Sequence, residues 1–152
     1  MRLEKGYRAF GRELTPDYDP VEAGLLFACK LGTDINFLGR EAVEKARAEG
    51  PRRKLVSLVL DECPAASAMW GGELVLRDGR PVGQVMSGAW GEALGAYVGL
   101  AYVRHPDGDV VTPAHLREGT YQVNVAGEIR PATLHLRPPY DPQNTRVRGG
   151  SP

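Results

Sequence analysis

The candidates for nucleophilic catalysis that we weigh first are Ser87 and the three histidines of the chain. Ser87 lies between a methionine and a glycine, and the histidines stand at His105, His115 and His135. A serine becomes a nucleophile only when a general base lies within hydrogen-bond reach, and no histidine lies within a few residues of Ser87 along the chain. The sequence therefore predicts a serine in a turn, and we assign no catalytic residue.

Residue types that bind metals are also present, but their spacing is unfavourable. Cys29 and Cys63 form neither a C-x-x-C motif nor a cluster with histidine, which indicates reduced thiols rather than a disulfide framework or a zinc site. Residues 105–109 (HPDGD) combine an imidazole with two carboxylates. Adjacent residues in a turn rarely converge on one ion, and Asp-Gly is typical of turns. We expect a loop here and no metal site.

The balance of charges excludes some classes of partner for the chain. Its 152 residues include 19 basic and 19 acidic side chains, so no net field attracts nucleic acid or an anionic membrane surface. No apolar run approaches the ~20 residues that span a bilayer, and the first six residues lack the apolar region of a signal peptide. These features predict a cytoplasmic or matrix-like origin and no nucleic-acid or membrane partner.

The sequence predicts that the first third of the chain is a connecting segment followed by one helix. Residues 1–36 carry glycines and prolines among charged residues, which predicts an irregular but ordered arm. Within this arm a short helix is expected from Pro20 to Gly24, because proline suits the first helical turn. The good helix formers from Gly39 to Glu49 predict a helix that the following Gly-Pro pair ends.

After residue 50 the pattern changes to short apolar stretches separated by turns. Two of the turns, Asp78-Gly79 and Ala126-Gly127, contain a glycine that accepts a positive φ, which predicts two hairpins. Six such strands indicate a mainly β fold, either an antiparallel sandwich or a small barrel. Residues 137–152 lose apolar periodicity and are expected to form an extended tail. The predicted strands are 54–60, 73–76, 82–86, 96–103, 121–125 and 129–136.

Five sequence blocks, in a fixed order, carry a resemblance to a known family. They are 2–15 (RLEKGYRAFGRELT), 20–25 (PVEAGL), 37–42 (FLGREA), 83–91 (GQVMSGAWG) and the pair of Leu94-Gly95 with 99–103 (GLAYV). In this order the blocks resemble the second half of the glycine cleavage T-protein (aminomethyltransferase) family. The RLEKGYR block, and a final PYDP followed by arginines, are most similar to the T-protein-like halves of sarcosine and dimethylglycine dehydrogenases. The resemblance covers nearly the whole chain.

This resemblance implies both an architecture and a function. It implies a distorted, jelly-roll-like barrel of six antiparallel strands, with residues 1–50 as a connecting arm and helix from the end of a folate-binding domain and residues 51–152 as the barrel with its tail. In the family, tetrahydrofolate lies in a hole between three subdomains and accepts a one-carbon unit from an amine, giving 5,10-methylenetetrahydrofolate. The family's catalytic aspartate precedes the RLE block. We therefore expect a chain that completes the folate cavity of a one-carbon enzyme and is inactive alone.

The same resemblance implies partners for the chain. The expected partner is the missing N-terminal folate-binding portion, and in dehydrogenase relatives an upstream domain that carries FAD. The alternative function is a non-enzymatic folate-binding or partner-binding barrel, as in the iron–sulfur maintenance proteins that share the fold. Those proteins carry a K-G-C-Y-x-G-Q-E signature, and this chain has Asn36 in place of its cysteine. That difference argues against the iron–sulfur maintenance proteins, while an independent barrel that binds a partner stays open.

The resemblance also places candidate ligand residues at both ends of the chain. In the family the C-terminal tail folds toward the p-aminobenzoyl-glutamate end of the folate. The candidates in the tail are Tyr140, Arg146 and Arg148, and the two arginines suit the carboxylates there because a guanidinium can form paired hydrogen bonds. A solvated basic tail is the other interpretation. Glu4 and Arg2 lie in the RLE block near the folate hole, where we favour a salt-bridged arm over a functional carboxylate.

Two further expectations concern aromatic and apolar residues. Trp70 and Trp90 could stack on a pterin, but a small barrel needs large side chains, so packing in the core or at its rim is favoured.

The arm has more apolar surface than a free linker needs, which predicts a homo-oligomer with the arm at the contact and residues 146–152 poorly ordered. The apolar residues of the arm are Leu3, Tyr7, Phe10, Leu25, Leu26 and Phe27.

Overall fold

The structure is a computed structural model that describes residues 2–61 and 68–149. Cys63, whose thiol is expected to be reduced, lies outside the described residues. A single turn of 3-10 helix at Leu26–Ala28 precedes the regular elements. These are, in chain order, α1 (Arg40–Glu49), β1 (Arg53–Leu60), β2 (Leu74–Arg77), β3 (Arg80–Gly91), β4 (Ala96–Arg104), α2 (Pro113–Glu118), β5 (Tyr121–Val125) and β6 (Glu128–His135).

The six strands close into one antiparallel barrel in the order β1-β4-β3-β2-β5-β6. Strand β1 pairs with β4 from Arg53 to Val59 and with β6 from Ser57 to Leu60, which closes the sheet on itself. Closure gives every strand a hydrogen-bonded neighbour on both sides. The predicted six-stranded antiparallel barrel is therefore confirmed, and the sandwich alternative is wrong.

Both glycine hairpins have the backbone that the sequence predicts. Asp78 and Gly79 have φ values of 51° and 76°, and Ala126 and Gly127 have values of 52° and 91°. Two consecutive residues with positive φ match the twist of the flanking strands in a two-residue hairpin. These turns join β2 to β3 and β5 to β6.

The barrel interior is filled by buried side chains from all six strands. In β1 every second residue, Val56, Leu58 and Leu60, faces this interior, as the alternation of a strand requires. Leu55 lies on the opposite face of the strand and belongs to a second apolar cluster outside the barrel. The interior of the barrel is therefore separate from the contact between the barrel and the arm.

Strand β3 is longer than predicted, and its length corrects one site expectation. It continues to Gly91 through a β-bulge between Val85 and Ser87, whereas the sequence predicted an end at Met86. A bulge absorbs one extra residue and lets a strand continue with a changed direction. Ser87 is buried within this strand, so the prediction of a serine in a turn is wrong.

Helix α1 was predicted correctly, and the other helical segments were not. It begins after Gly39, whose φ is 86°, and ends at Gly50, whose φ is 81°. The helix expected from Pro20 is absent because Gly24, with a φ of 68°, turns the chain after one turn. Helix α2 was not predicted, although its Thr112 side chain caps the backbone N–H of His115. No helix of the described residues is long and apolar enough to cross a membrane.

The described part of the C-terminal tail is not extended as the sequence predicted. Residues 137–149 form successive turns. The Asp141 carboxylate accepts the backbone N–H of Thr145 at 2.8 Å, and the Tyr140 N–H donates to the Glu4 carbonyl at 3.1 Å. The local turn and the contact with the arm together give the tail a folded path across the arm.

Candidate functional site

The arm packs against the outer face of the barrel and thereby positions the RLE block. Leu3 is buried in an apolar cluster that includes Val98 and Leu100 of β4. Tyr18 stacks on Tyr102 with ring centroids 3.8 Å apart and planes nearly parallel. These contacts fix the arm on the barrel at two separate points, so the side chains between them have defined positions.

Arg2 is held by three acceptors on one side of its guanidinium. Its Nη1 donates to Glu13 Oε2 and to the Tyr7 carbonyl, both at 3.0 Å, and its Nη2 donates to Ser87 Oγ at 2.8 Å. The Glu13 side chain is fully buried and also accepts the Ala9 N–H at 2.7 Å. The Arg2 side chain is still 37% exposed, so an oriented guanidinium is presented at the surface.

An open groove of about 410 Å³ lies beside this guanidinium. Trp70 is 76% exposed in it. The Arg12 side chain makes no hydrogen bond or ion pair with another residue in 2–61 or 68–149. Two guanidinium groups and an accessible indole form a surface for a planar ligand that carries negative charge. The groove is lined by Arg2, Leu3, Arg12, Trp70, Ser87, Gly88 and Ala89.

One of the two tryptophans packs at the rim as expected, and the other does not. Trp90 forms an edge-to-face contact with Tyr97, with ring centroids 5.4 Å apart, as packing at the rim requires. Trp70 is mostly exposed, so the expectation of packing is wrong there. Its backbone N–H and that of Gly71 donate to the Glu73 carboxylate, which positions this exposed indole from its main chain.

Glu4 is buried between the arm and the barrel and is not one of the groove residues. Its Oε1 accepts the Ala93 N–H at 2.8 Å. A Cβ atom built on Gly91 would lie 2.9 Å from this oxygen, so the absence of a side chain at Gly91 makes room for the carboxylate. In the structure Glu4 therefore contributes to docking the arm on the barrel.

The tail brings two of its three candidate residues together. Arg146 Nη1 donates to the Tyr140 hydroxyl at 2.8 Å, and its guanidinium lies 5.4 Å from the centre of the Tyr140 ring. Tyr140 in turn contacts the backbone of Glu4. Arg148 is exposed, and its side chain forms no hydrogen bond with another described residue. Glu4, Tyr140 and Arg146 thus lie at one arm–tail contact, and Arg148 lies apart from it.

This arm–tail contact depends on Asp141 and should respond to pH. Burial raises the pKa of the Asp141 carboxyl, but hydrogen bonds from Lys5 Nζ at 3.0 Å and from the Thr145 N–H outweigh that effect and lower it. A lowered pKa in the folded state means that docking is stabilised above the ordinary value of about 3.9 and is lost as the pH falls through the lowered value.

We therefore expect the Thr145 amide resonance to titrate in NMR spectra with a midpoint below about 3.9. The matched variant Asp141→Asn has no titrating carboxyl at this position, so its Thr145 amide resonance should show no such transition. A midpoint at or above the ordinary value in the unsubstituted chain would contradict a docked tail.

Two residues of the site were missed by sequence reasoning. Glu13 and Arg12 are adjacent in the irregular arm, where no periodicity separates buried from exposed positions, so neither was singled out.

The expected loop at residues 105–109 is confirmed, with Asp107 paired to Arg80 at 2.8 Å. Within the part of the chain that the structure describes, no three histidine, cysteine or acidic side chains are placed to hold a metal ion.

Comparison with known proteins agrees with this architecture. The family model of the glycine cleavage T-protein C-terminal barrel domain matches residues 53–141. The crystal structure of glycine cleavage system aminomethyltransferase T from Bartonella henselae superimposes with a TM-score of 0.75 over 93% of this chain and 37% of that chain. At 22% sequence identity, this likeness establishes the fold.

Curated relatives cover nearly the whole chain. Mitochondrial sarcosine dehydrogenase of Mus musculus is 41% identical over 149 residues, which are 98% of this chain and 16% of that protein. The aminomethyltransferase of Synechococcus sp. (strain CC9902) is 34% identical over 92% of this chain and 36% of its own length. The chain thus spans between about a sixth and about a third of these relatives. The chain belongs to the glycine cleavage T-protein C-terminal barrel domain family.

Proposed function

We propose that this chain forms one wall of a tetrahydrofolate cavity in a one-carbon enzyme of the aminomethyltransferase or sarcosine/dimethylglycine dehydrogenase type. The observation that carries the proposal is the groove in which Glu13 and Ser87 hold Arg2 while Arg12 and Trp70 are exposed. The names of the relatives, which are sarcosine dehydrogenase, dimethylglycine dehydrogenase and aminomethyltransferase, support the same class of enzyme.

The residues of the groove suit the chemistry of a folate. A reduced folate has a pterin and a p-aminobenzoyl ring, which can stack on an indole such as Trp70. It ends in glutamate carboxylates, which pair well with guanidinium groups such as those of Arg2 and Arg12. When bound, tetrahydrofolate would supply the acceptor for a one-carbon unit. The residues of this chain would bind it, orient it and exclude water from the reacting carbon.

We propose the same role for the tail at the arm–tail contact. Tyr140 donates its backbone N–H to the Glu4 carbonyl and accepts a hydrogen bond from Arg146, and the Arg146 guanidinium would meet the glutamate end of the folate. Arg148 is exposed and has the freedom to reach the same carboxylates. Glu4 would act from its buried position, by keeping the arm against the barrel.

The roles that we propose for each part of the chain follow from the fraction of the relatives' length that the chain covers. Residues 1–50 would be the connecting arm and helix from the end of the folate-binding domain, and residues 51–152 would be the barrel domain with its tail. The reacting groups, and the FAD of a dehydrogenase-type protein, would belong to the upstream portion. We expect the chain to be inactive alone and to bind folate weakly, because a site with one wall encloses little of its ligand.

Titration of the chain with tetrahydrofolate tests the position of the groove. Isothermal titration should detect no binding at micromolar concentrations, and NMR at millimolar folate should shift the amide resonances of Trp70 and Ser87. The Arg12→Met variant should lose these shifts, and Arg117→Met on the exposed face of α2 is the matched control. Micromolar affinity, or shifts confined to other parts of the barrel, would show that the groove is not the folate surface.

The arm also has an apolar face that we propose as the docking surface for the upstream portion. Phe27 is 84% exposed and Leu38 is fully exposed. In the same segment of the chain a mainly apolar cavity of about 360 Å³ is lined by Ala28, Cys29, Lys30, Ile35 and Phe37. Leu3 is not available to this face, because it is buried against the barrel. Exposed apolar surface of this kind favours association.

Without its upstream partner, the chain should associate with a second copy through this face. We expect sedimentation equilibrium to show a concentration-dependent increase in mass. The double variant Phe27→Ser/Leu38→Ser should shift the association to at least tenfold higher concentration, about 1.4 kcal/mol. The control Val147→Ser removes an exposed apolar residue of the tail and should leave the association unchanged. A monomer at all concentrations would contradict this prediction.

A further inference from the structure

Two partly buried cations, Arg8 and Lys54, approach the same point beside β1. A Cβ atom built on Gly24 would lie 3.0 Å from Arg8 Nη2 and 4.0 Å from Lys54 Nζ. Among the residues that the structure describes, no carboxylate lies within 4.0 Å of either group. Two neighbouring cations without a counter-ion are unusual in a partly buried place, because like charges repel there more strongly than in water.

The hydrogen bonds of these two cations go to neutral backbone carbonyls of the arm. Lys54 Nζ donates to the Val21 carbonyl at 2.6 Å, while Arg8 donates to the carbonyls of Ala23 and Gly6, both at 3.0 Å. An ammonium has three N–H donors and a guanidinium has five. One donor of Lys54 and two donors of Arg8 are therefore used, and neither cation has a carboxylate among its hydrogen-bond partners.

The acidic side chains whose charge acts on these cations are Glu13 for Arg8, and Asp19 and Glu22 for Lys54. All three are bonded to other groups, Glu13 to Arg2. Glu22 forms an ion pair with Arg53 at 2.9 Å. Asp19 accepts the backbone N–H groups of Val21 and Glu22. Burial and the positive charge of Arg8 lower the pKa of Lys54, and these two carboxylates oppose that effect only from a distance. A bound anion would supply the missing negative charge.

An apolar cavity of about 350 Å³ adjoins Lys54, while Arg8 lines a separate cavity of about 40 Å³. Lys54 and Val21, the donor and acceptor of the hydrogen bond described above, both line the larger cavity. Its volume is within the range of sites for small molecules. The remaining residues that line it are Pro51, Leu55, Val111, Pro113, Leu116 and Leu136.

We propose that this cavity binds a small carboxylic acid with an aliphatic chain. The aliphatic part would contact Val111, Leu116 and Leu136, and the carboxylate would pair with the Lys54 ammonium. The site shares no lining residue with the groove beside Arg2. It therefore stands independently of the proposed folate surface and would serve a second ligand.

Titration of hexanoate into the chain, followed by NMR, tests this site. We expect saturable shifts at Val111 and Leu116, and at least tenfold weaker binding of hexanamide, which has the same shape without the charge. Lys54→Met keeps the aliphatic stem and should weaken hexanoate binding at least tenfold. Lys45→Met, which removes an exposed lysine of α1, is the matched control and should bind as the unsubstituted chain does.

Three results would overturn the proposal. The first is binding that does not saturate at about 50 mM hexanoate, which means an affinity far weaker than millimolar. The second is equal binding of hexanoate and hexanamide. The third is unchanged hexanoate binding by a folded Lys54→Met variant. If Lys54→Met fails to fold, as its circular dichroism would reveal, the comparison of acid with amide in the unsubstituted chain decides the outcome.

Discussion

Replacing Arg2 by methionine is expected to lower the free energy of unfolding by about 2 kcal/mol, less than for a fully buried ion pair because the Arg2 side chain is 37% exposed. The reason is the Glu13 carboxylate, which is fully buried and has Arg2 as its cationic partner at 3.0 Å. Its second oxygen has no hydrogen-bond partner among the described residues. Without Arg2, the arm must unfold locally or keep an uncompensated charge against the barrel.

Denaturation in urea measures this loss, and two further variants identify its cause. Arg12→Met removes a guanidinium that has no partner, so its effect should stay within about 0.5 kcal/mol. The double variant Arg2→Met/Glu13→Gln should recover part of the stability, because it removes both members of the pair. Equal effects of Arg2→Met and Arg12→Met would contradict the assigned role of Glu13.

Replacing Gly83 by alanine is expected to destabilise the barrel by about 3 kcal/mol or more, at the upper end for overpacking. A Cβ atom at this position would lie 1.9 Å from the Tyr102 carbonyl oxygen of the neighbouring strand. That oxygen belongs to the backbone of β4, so it cannot move away as a flexible side chain would. The strands β3 and β4 would have to separate where they pair.

The matched control is Gly32→Ala, because a Cβ atom there meets no other atom within 4 Å. We expect that variant to change the free energy of unfolding by less than about 0.5 kcal/mol. Urea denaturation and the yield of soluble protein compare the two. A Gly83→Ala variant as stable as Gly32→Ala would show that the strands at this position lie further apart than in the structure.

Sequence reasoning succeeded where a local pattern decides the structure. The two glycine hairpins and the end of α1 at Gly50 depend on residues that accept a positive φ, and such residues are visible in the chain. The same reasoning failed for β3, because its bulge after Val85 depends on pairing with β4. It also missed α2, although Thr112 and Pro113 form a recognisable helix start.

The candidate site was less predictable than the fold, because its residues meet through tertiary contacts. Arg2 and Ser87 are far apart along the chain and meet only because the arm packs against β3. Glu13 lies in an arm without periodicity, so its complete burial has no signal in the sequence. The position of Trp70, exposed beside the groove, reflects the path of the chain before β2 rather than its residue type. The tail arginines were selected by resemblance to the family, and the contact of Arg146 with Tyr140 adds a local geometry to that selection.

The most direct test of the proposed folate wall uses a relative that matches nearly the whole of this chain. In a chimera, this chain would replace the matching 149 residues of mouse sarcosine dehydrogenase, to which it is 41% identical. Titration of tetrahydrofolate into the chimera should show binding, and Arg12→Met should weaken it at least tenfold, about 1.4 kcal/mol, while Arg117→Met leaves it unchanged. Equal affinity of the folded Arg12→Met and Arg117→Met chimeras would contradict the assignment of the groove to the folate cavity.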